Sequence, residues 1–338
     1  MGRGLVKREG NKLSISKLIV RVALVFSILA AITIAVIVMT ATTANRMMSI
    51  EKKPLANVPS NILPSYSATT FTSADEQTLL SGWFFKTDDP ISTIIVVHDT
   101  QSNRMPFSVS MVEMINDFLN MHYNVFLFDL RNSGESDGAI CGYGYLEWQD
   151  VLGAIKHVKK ISVTKNVILY GIGSGCSACL LAIDKLPPSS DSEVLEKYSK
   201  KIVDLGFDVN YIVGLILDSP AKNSDDYITP FVEKNSKFAF VTKYFVPYAI
   251  RVSAGEGGNY NLATQISRLP IPVCIIYGGR DTFIGAEKIE QIVTERQRLN
   301  PNTTMSKMFS GAGYVESYLI DSEGYRQMLR SYLETYFK

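Results

Sequence analysis

The stretch NVILYGIGSGCSACLLAI, residues 166–183, decides the fold. It opens with NVILY, a short apolar run rich in β-branched residues and typical of a buried strand. It then passes through a glycine-rich turn, residues 171–175, and continues at 178–183 with the apolar character of a helix. A strand that turns sharply into a helix is one unit of an α/β sheet.

On both sides of this stretch, apolar strand-like runs alternate with helix-like stretches. The predicted strands are 81–85, 93–97, 124–130, 166–170, 211–217 and 273–277, and the predicted helices include 107–119 and 145–159. Continuous apolar strands indicate burial on both faces, and alternation with helices indicates a parallel sheet covered on both sides. The sequence therefore predicts the α/β class with a doubly wound, mostly parallel sheet, which binds ligands at the carboxyl ends of its strands.

Two segments interrupt this alternation. Residues 187–201 are polar, with two prolines and several serines, and we interpret them as a surface insertion. Residues 222–269 lie between two predicted core strands and are rich in aromatic residues, among them Phe231, Phe238, Phe240, Tyr244, Phe245 and Tyr248. This second segment fits either ordinary core helices or a helical lid over a site, and the sequence leaves both open.

The first part of the chain is far more apolar than the rest. Residues 22–44, VALVFSILAAITIAVIVMTATTA, contain no charged residue. As a helix they would span about 34 Å, enough for a bilayer core of about 30 Å. The alternative is a cleaved signal peptide, but the apolar core of a signal has about 7–15 residues and this one is longer. We therefore predict a single-pass transmembrane helix at 22–44 and a linker at 45–65.

Positive charges flank the predicted span unequally. The cations before it are Arg3, Lys7, Arg8, Lys12, Lys17 and Arg21, and those just after it are Arg46, Lys52 and Lys53. Because cytoplasmic flanks carry an excess of Lys and Arg, this favours a cytoplasmic N-terminal segment at 1–21 and an extracytoplasmic domain at 66–338. Overall, 34 Lys and Arg balance 33 Asp and Glu, so the composition gives no basic footprint for nucleic acid.

Segments in chain order across most of residues 66–338 resemble the α/β-hydrolase superfamily, specifically its serine aminopeptidase S33-like and BEM46-like branch. The run 71–85 resembles the opening hairpin, and 96–100 resembles the strand before the oxyanion loop. The run FDLRNSGESDG at 128–138 is similar to the family's D-x-R-G-x-G-x-S-x-G turn, and 277–281 resembles the strand end that carries the catalytic acid. The resemblance implies an α/β-hydrolase fold with the 222–269 insertion as its lid.

The resemblance also implies a Ser-His-Asp triad, from which this chain departs at two positions. Gly173 of the elbow Gly171-Ile172-Gly173-Ser174-Gly175 stands where the family has its nucleophilic serine, and Asp281 falls on the acid. Tyr314, in the loop 310–316, falls on the histidine. The chain's histidines all precede Asp281: His98, His122 and His157. Because a serine hydroxyl needs a histidine base that an acid orients, the triad is not intact.

The oxyanion loop carries a further substitution. By the same resemblance, one oxyanion donor would be the N–H of Ser174, and the other would come from the loop near Thr100. Asp99 replaces the family's usual glycine there, and its carboxylate would oppose the negative charge that develops on an oxyanion.

Two residues are candidates for a rearranged site. Ser174 comes one position late on the elbow with no histidine placed to activate it, so we interpret it as a small packing residue. His98 ends a core strand near the site, but its family counterpart is structural. The C-x-x-C pair Cys176 and Cys179 fits core packing better than a redox site.

We therefore expect a membrane-anchored α/β-hydrolase-like pseudoenzyme that binds a small molecule, lipid or peptide in the inherited cleft. Two alternatives stay open. One is an active hydrolase of the esterase or peptidase type with a rearranged site, and the other is a cell-surface structural or partner-docking protein with a filled cleft. The residues give no pattern for a metal or cofactor, and we expect neither.

Overall fold

The computed structural model describes residues 15–56, 58–59 and 61–338. The predicted basic residues Arg3, Lys7, Arg8 and Lys12 lie outside the described residues. The described chain begins with helix α1, Ile15–Met48, which extends beyond the predicted span 22–44 at both ends. Its most apolar 18-residue window has a mean hydropathy of 2.9, and none of that window is buried inside the protein. By length and composition alone, this helix could cross a membrane.

In the described part of the chain, eight strands form one sheet: β1 Tyr66–Thr72, β2 Leu79–Phe85, β3 Ser92–Val97, β4 Tyr123–Phe128, β5 Val167–Ile172, β6 Ile212–Asp218, β7 Val273–Gly278 and β8 Thr304–Phe309. Their order is β1-β2-β4-β3-β5-β6-β7-β8. Strand β2 is antiparallel to both of its neighbours, and from β4 to β8 every pair is parallel. The mostly parallel sheet is confirmed.

The burial of the strands explains which of them the sequence predicts. Every residue of β3, β4, β5 and β7 is buried, and these strands are the continuous apolar runs. All six predicted strands form within two residues of their predicted ends. The edge strand β8 was not predicted, because most of its side chains are only partly buried and its sequence, TMSKMF, mixes polar and apolar residues.

Twelve further helices follow α1 in the described chain: α2 Met111–Asn120, α3 Trp148–Ile161, α4 Ser174–Lys185, α5 Ser192–Leu195, α6 Lys200–Val203, α7 Asp225–Asn235, α8 Ala239–Thr242, α9 Val246–Ser253, α10 Leu262–Arg268, α11 Ala286–Leu299, α12 Ser317–Ile320 and α13 Ser322–Phe337. Helices α3, α4 and α11 pack on one face of the sheet, and α2 and α13 pack on the other. The sheet is therefore doubly wound, as predicted.

The two predicted insertions have different structures. The first, 187–201, contains the one-turn helix α5 and the start of the one-turn helix α6. The second, 222–269, is helical and contains α7 to α10 between β6 and β7, at the carboxyl edge of the sheet. We call residues 222–269 the lid segment below.

The last turns of α1 pack against the lid segment. Side chains that are buried or partly buried recur at helical spacing along one stripe of α1: Val36, Met39, Thr40, Thr43, Ala44, Met47 and Met48. Helices α8 and α9 are the main elements against this part of α1. The N–H of Cys141 donates to the Met48 carbonyl at 2.8 Å, and the Tyr143 hydroxyl donates to the Met47 carbonyl at 3.2 Å. The start of the predicted linker is therefore helical and lies on the domain.

Candidate active site

The turn between β5 and α4 keeps the geometry of a nucleophile elbow. Gly173 sits between them with φ 55° and ψ −126°, a conformation that side chains other than hydrogen rarely tolerate. Its N–H donates to the Asp218 carbonyl at 2.9 Å, and the Cys176 N–H donates to the Gly173 carbonyl at 2.9 Å. A Cβ atom on Gly175 would lie 2.2 Å from the Val97 carbonyl oxygen, so the turn packs directly on β3.

The space above Gly173 is filled by two other side chains. A Cβ atom built on Gly173 would lie 2.4 Å from Cγ of Asp99 and 2.4 Å from the hydroxyl oxygen of Tyr314. It would also lie 2.5 Å from Oδ1 of Asp99. A serine at position 173 therefore requires both neighbours to move.

The Asp99 carboxylate accepts hydrogen bonds from the two predicted oxyanion donors. Its Oδ1 accepts from the N–H of Ser174 at 2.8 Å and from the N–H of Thr100 at 2.8 Å. The Ser174 hydroxyl donates to the same oxygen at 2.7 Å. Burial raises the pKa of Asp99, and hydrogen bonds from Ser174, Tyr314 and Thr100 oppose that rise. Oδ1 of Asp99 thus lies at the two N–H groups that the resemblance assigns to an oxyanion hole.

Tyr314 contributes the remaining donor to this carboxylate and belongs to an aromatic cluster beneath the lid segment. Its hydroxyl hydrogen-bonds Asp99, and burial together with that carboxylate raises the pKa of Tyr314 well above its usual range. The ring lies 4.5 Å from the ring of Phe283 and 6.4 Å from that of Tyr227, measured between centroids. Phe231 of α7 packs edge-on against Phe283 at 5.0 Å. The cluster holds the hydroxyl over Gly173.

Asp281, the predicted acid, has one bonded and one unbonded carboxylate oxygen. Its Oδ1 accepts the N–H groups of Phe283 and Ile284 at 2.8 and 2.9 Å. Its Oδ2 is buried, and none of the described residues hydrogen-bonds it. Burial raises the pKa of Asp281, and the same N–H groups oppose the rise. In a triad this second oxygen would orient a histidine, and here Tyr314 bonds Asp99 instead.

The two rescue candidates are both committed to other contacts. Ser174 is only 2% exposed, and its hydroxyl also bonds the N–H and hydroxyl of Thr100 at 2.8 and 2.7 Å. Nδ1 of His98 lies 2.8 Å from the Asp99 carbonyl, and Nε2 accepts the Leu130 N–H at 3.0 Å. Because a carbonyl can only accept, His98 is neutral with its proton on Nδ1. Burial lowers the pKa of His98.

The charged residues of the 128–138 turn and its continuation hold loops together. Asp129 pairs with Arg104, a buried residue that sequence reasoning missed because nothing in its local pattern distinguishes it. Arg131 pairs with Asp150, with Nη2 and Oδ1 2.7 Å apart. The Glu147 carboxylate accepts the N–H groups of Gly142 and Gly144 at 2.6 and 2.7 Å. These residues support the loops beside the site.

Asp218, at the end of β6, is a second residue that the sequence did not single out. It is fully buried, accepts hydrogen bonds from Tyr325 at 2.8 Å and Ser219 at 3.0 Å, and its carbonyl binds the elbow at Gly173. Burial raises the pKa of Asp218 to about 7, and the nearby carboxylates of Asp281 and Asp99 add to the rise.

The remaining sequence candidates form no second site. Cys176 and Cys179 are free and buried, and burial raises the pKa of both thiols. No group of three or more His, Cys, Asp or Glu residues in the described chain is arranged to hold a metal ion. A surface cleft of about 770 Å³ lies between α10 and α11, and neither Gly173, Asp281 nor Tyr314 lines it.

Comparison with solved structures identifies the fold. An esterase from Pyrococcus furiosus is similar with a TM-score of 0.62 and 19% identity, covering 86% of this chain and 100% of that chain. An esterase from Exiguobacterium antarcticum has a TM-score of 0.52 and 15% identity, covering 79% and 100%. An α/β hydrolase from Penicillium sp. has a TM-score of 0.55 and 13% identity, covering 81% and 99%. No protein-family model and no curated protein matches the chain.

The sheet order, the elbow and these similarities together define the class: the chain has the α/β-hydrolase fold, as the sequence predicted. At these identities the similarity concerns the fold alone, so activity has to be argued from the site.

Proposed function

We propose that this chain is a membrane-anchored protein of the α/β-hydrolase fold that does not hydrolyse substrates through a Ser-His-Asp triad. The observation that carries this proposal is the filled nucleophile position. The Asp99 carboxylate and the Tyr314 hydroxyl both come within 2.5 Å of where a side chain at Gly173 would begin. The elbow therefore has neither a nucleophile nor room for one.

The other requirements of acyl transfer are missing at the same place. Among the described residues no histidine hydrogen-bonds Asp281, and His98, at the end of β3, has both ring nitrogens engaged with backbone groups. The N–H groups of Ser174 and Thr100 already bind a side-chain oxygen, Oδ1 of Asp99. A single oxyanion donor contributes about 10²–10³ in rate in serine hydrolases, so their occupation alone is a large loss.

The filled position also bears on which non-catalytic role we favour. A ligand in the inherited cleft above Gly173 would have to displace both Asp99 and Tyr314 from their mutual hydrogen bond. Displacing Asp99 would leave the N–H group of Ser174 unpaired unless the ligand supplied an acceptor, while the N–H group of Thr100 would keep only the Ser174 hydroxyl. We therefore favour a structural or partner-docking role over binding of a small molecule, lipid or peptide at the elbow.

A rearranged hydrolase is the second candidate, and one contact favours it. The Ser174 hydroxyl donates to Asp99 Oδ1 at 2.7 Å, a hydroxyl–carboxylate pair in which the acid has a raised pKa. Against it, Ser174 is almost fully buried and its oxygen also binds Thr100, so a substrate carbonyl has no path to it.

The test treats the full-length protein with a serine-reactive fluorophosphonate and with nitrophenyl esters of several chain lengths over a range of pH. We expect no labelling and no turnover above a heat-denatured sample. Labelling that Ser174→Ala abolishes, but that Ser177→Ala leaves intact, would establish the rearranged hydrolase and end the proposal. Ser177 is the matched control, because it is a buried serine of the same helix that bonds Ser224 rather than Asp99.

Retention of α1 is the second part of the proposal. Cleavage after Ala44, the site a signal peptidase would use, would remove Val36, Thr40 and Ala44 from their contacts with the domain. We therefore expect the mature protein to keep α1 and to resist extraction from membranes by alkaline carbonate. A mature N-terminus at Asn45, read by terminal sequencing, would refute the anchor.

A further inference from the structure

The lid segment exposes an unusual number of aromatic side chains to solvent. Phe240 and Tyr244 are 72% and 70% exposed, and four neighbours are about half exposed. We call the following residues the lid patch: Phe238, Phe240, Tyr244, Phe245, Tyr248 and Val252. Isolated exposed apolar residues are ordinary, but a concentration of large ones on a folded domain marks an interaction surface.

The lid patch has the pattern of an amphipathic surface. On α9, Val246 and Ile250 are buried, whereas Tyr248 and Val252 are exposed four residues apart and share one helix face. Phe240 and Tyr244 have the same spacing around α8. The domain therefore has a second apolar face that its own core does not cover.

The position of α1 indicates what covers this face. Helices α8 and α9, which carry the lid patch together with the residues that flank them, are the main elements packed against α1. That stripe begins at Val36, eight residues before the predicted span ends at Ala44. At about 1.5 Å per residue, the lid segment reaches about 12 Å back along the apolar helix. A bilayer crossed by α1 would consequently meet α8 and α9 at its surface.

The charges around the patch suit a lipid headgroup layer. Thr42 and Thr43 of α1 line a small groove together with Ser236 and Lys237. Lys237 therefore lies beside the end of the predicted transmembrane span. Glu233 pairs with Lys243, while no described carboxylate pairs with the exposed Lys234 or Lys237. Lysines beside aromatic rings are the side chains that collect at membrane–water interfaces.

We propose that the lid patch inserts into the headgroup–acyl boundary of the same bilayer that α1 crosses. The inference rests on the membrane anchor proposed above and adds a second, interfacial contact to it. The occupant of the patch is lipid, and the contact fixes the domain with the carboxyl edge of its sheet toward the membrane. Phe240 and Tyr244, being the most exposed, lie deepest.

The experiment measures depth in the bilayer residue by residue. The full-length protein is placed in lipid nanodiscs with single introduced cysteines, Phe240→Cys or Tyr244→Cys, labelled with an environment-sensitive fluorophore. The four native cysteines are buried and stay unlabelled in the folded protein. We expect a blue shift at both positions and loss of fluorescence when spin-labelled lipids are included.

Two further labelled positions make every outcome informative. Ile28→Cys, within α1, is the positive control for the anchor. Val163→Cys is the matched negative control, because it is apolar, 75% exposed and precedes β5 at the opposite edge of the sheet from the lid segment. Each labelled protein is first shown to melt at the temperature of the unlabelled one.

The pattern of quenching separates the two proposals. Quenching at Ile28 without quenching at residues 240 and 244 would overturn the lid contact and leave the anchor standing. Absence of quenching at Ile28 would refute the anchor and the lid contact with it. A blue shift at 240 that lipid spin labels do not quench, but that weakens on dilution, would assign the patch to a second copy of the chain and overturn the proposal.

Discussion

Tyr314 and Gly173 exclude a side chain between them, because the Tyr314 hydroxyl oxygen lies 2.4 Å from where Cβ of residue 173 would be. Gly173→Ser should therefore destabilise the protein by at least about 2 kcal/mol, since it combines a strained backbone conformation with overpacking. Tyr314→Phe removes the hydroxyl, so Gly173→Ser should cost less stability in the Tyr314→Phe background than in the unmodified protein. A double-mutant cycle of unfolding free energies would detect this difference as coupling between the two positions.

Gly175→Ser is the control for this cycle. Its clash is with the backbone carbonyl of Val97, which no change at Tyr314 can relieve. Equal losses for Gly173→Ser in the Tyr and Phe backgrounds would mean that Tyr314 does not fill the nucleophile position.

The buried Asp218 predicts a dependence of stability on pH. Its folded pKa of about 7 exceeds the ordinary value of 3.8, so its stabilising contribution is complete below about pH 4 and is lost as the pH rises through 7. Asp218→Asn does not ionise, so its melting temperature should rise relative to that of the unmodified protein between pH 4 and 7. The full pKa difference corresponds to roughly 4 kcal/mol as an upper bound.

The comparison for Asp218 is Asp89→Asn. Asp89 is exposed and has a positive φ of 47°, which asparagine also tolerates. Thermal unfolding in detergent across this pH range should give a constant difference for Asp89→Asn. A constant difference for Asp218→Asn as well would show that Asp218 is ionised throughout.

The Arg131–Asp150 pair predicts a large structural effect outside the elbow. Asp150 is fully buried and accepts the N–H of Arg131 as well as its guanidinium, so Asp150→Ala leaves the cation with Asp75 as its remaining carboxylate partner, 3.0 Å from Nη2. The expected cost is about 3 kcal/mol in unfolding free energy, the low end for a buried pair that loses one partner. Glu295→Ala breaks the exposed pair with Arg298 and should change the melting temperature very little. If both substitutions lowered stability equally little, the Arg131–Asp150 pair would contribute no more than an exposed ion pair.

The orientation of the domain can be read from Asn302. This residue begins the sequence Asn-Thr-Thr, an acceptor for N-linked glycans, and its side chain is exposed after α11. If the domain is extracytoplasmic, expression in a eukaryotic cell should give a band whose mobility increases after endoglycosidase treatment. Asn302→Gln should already run at the treated position. An untreated band identical to that of Asn302→Gln would favour the opposite orientation.

The fold was predictable because its central strands are buried on both faces. Burial on two sides leaves a continuous apolar run such as TIIVV in β3, which stands out against the polar turns around it. The glycine turn after β5 and the order of the motifs then give the superfamily. Edge strands such as β8 escape this reasoning, because one polar face removes the signal.

The candidate site was only half predictable. The positions Gly173, Asp281 and Tyr314 follow from the resemblance to the motifs of the α/β-hydrolase superfamily. The contact of Asp99 with the N–H groups of Ser174 and Thr100 could not be predicted in this way. The Asp99 side chain fits there because Gly173, which is distant in the sequence, has no side chain to fill the same space. Sequence reasoning predicted a carboxylate near the oxyanion site, but it could not predict that the carboxylate would fill it.

The packing of α1 against the lid segment could not be predicted from the sequence for a different reason. Much of its buried stripe, from Val36 to Ala44, belongs to a run of the helix that contains no charged residue. Hydropathy cannot distinguish a helix face covered by lipid from one covered by protein, because lipid tails and a protein core are both apolar surroundings. Only the tertiary structure separates them.

The mutual contacts of Asp99, Tyr314 and Gly173 also constrain how the family's catalytic residues could return by mutation. A serine at 173 clashes with two neighbours, and a glycine at 99 leaves the N–H group of Ser174 unpaired and that of Thr100 bonded only to the Ser174 hydroxyl. A histidine at 314 removes the tyrosine hydroxyl that bonds Asp99. If the triad was lost, as the proposed function implies, each single change toward it would lower stability before all three were made, and selection for folding would oppose its return.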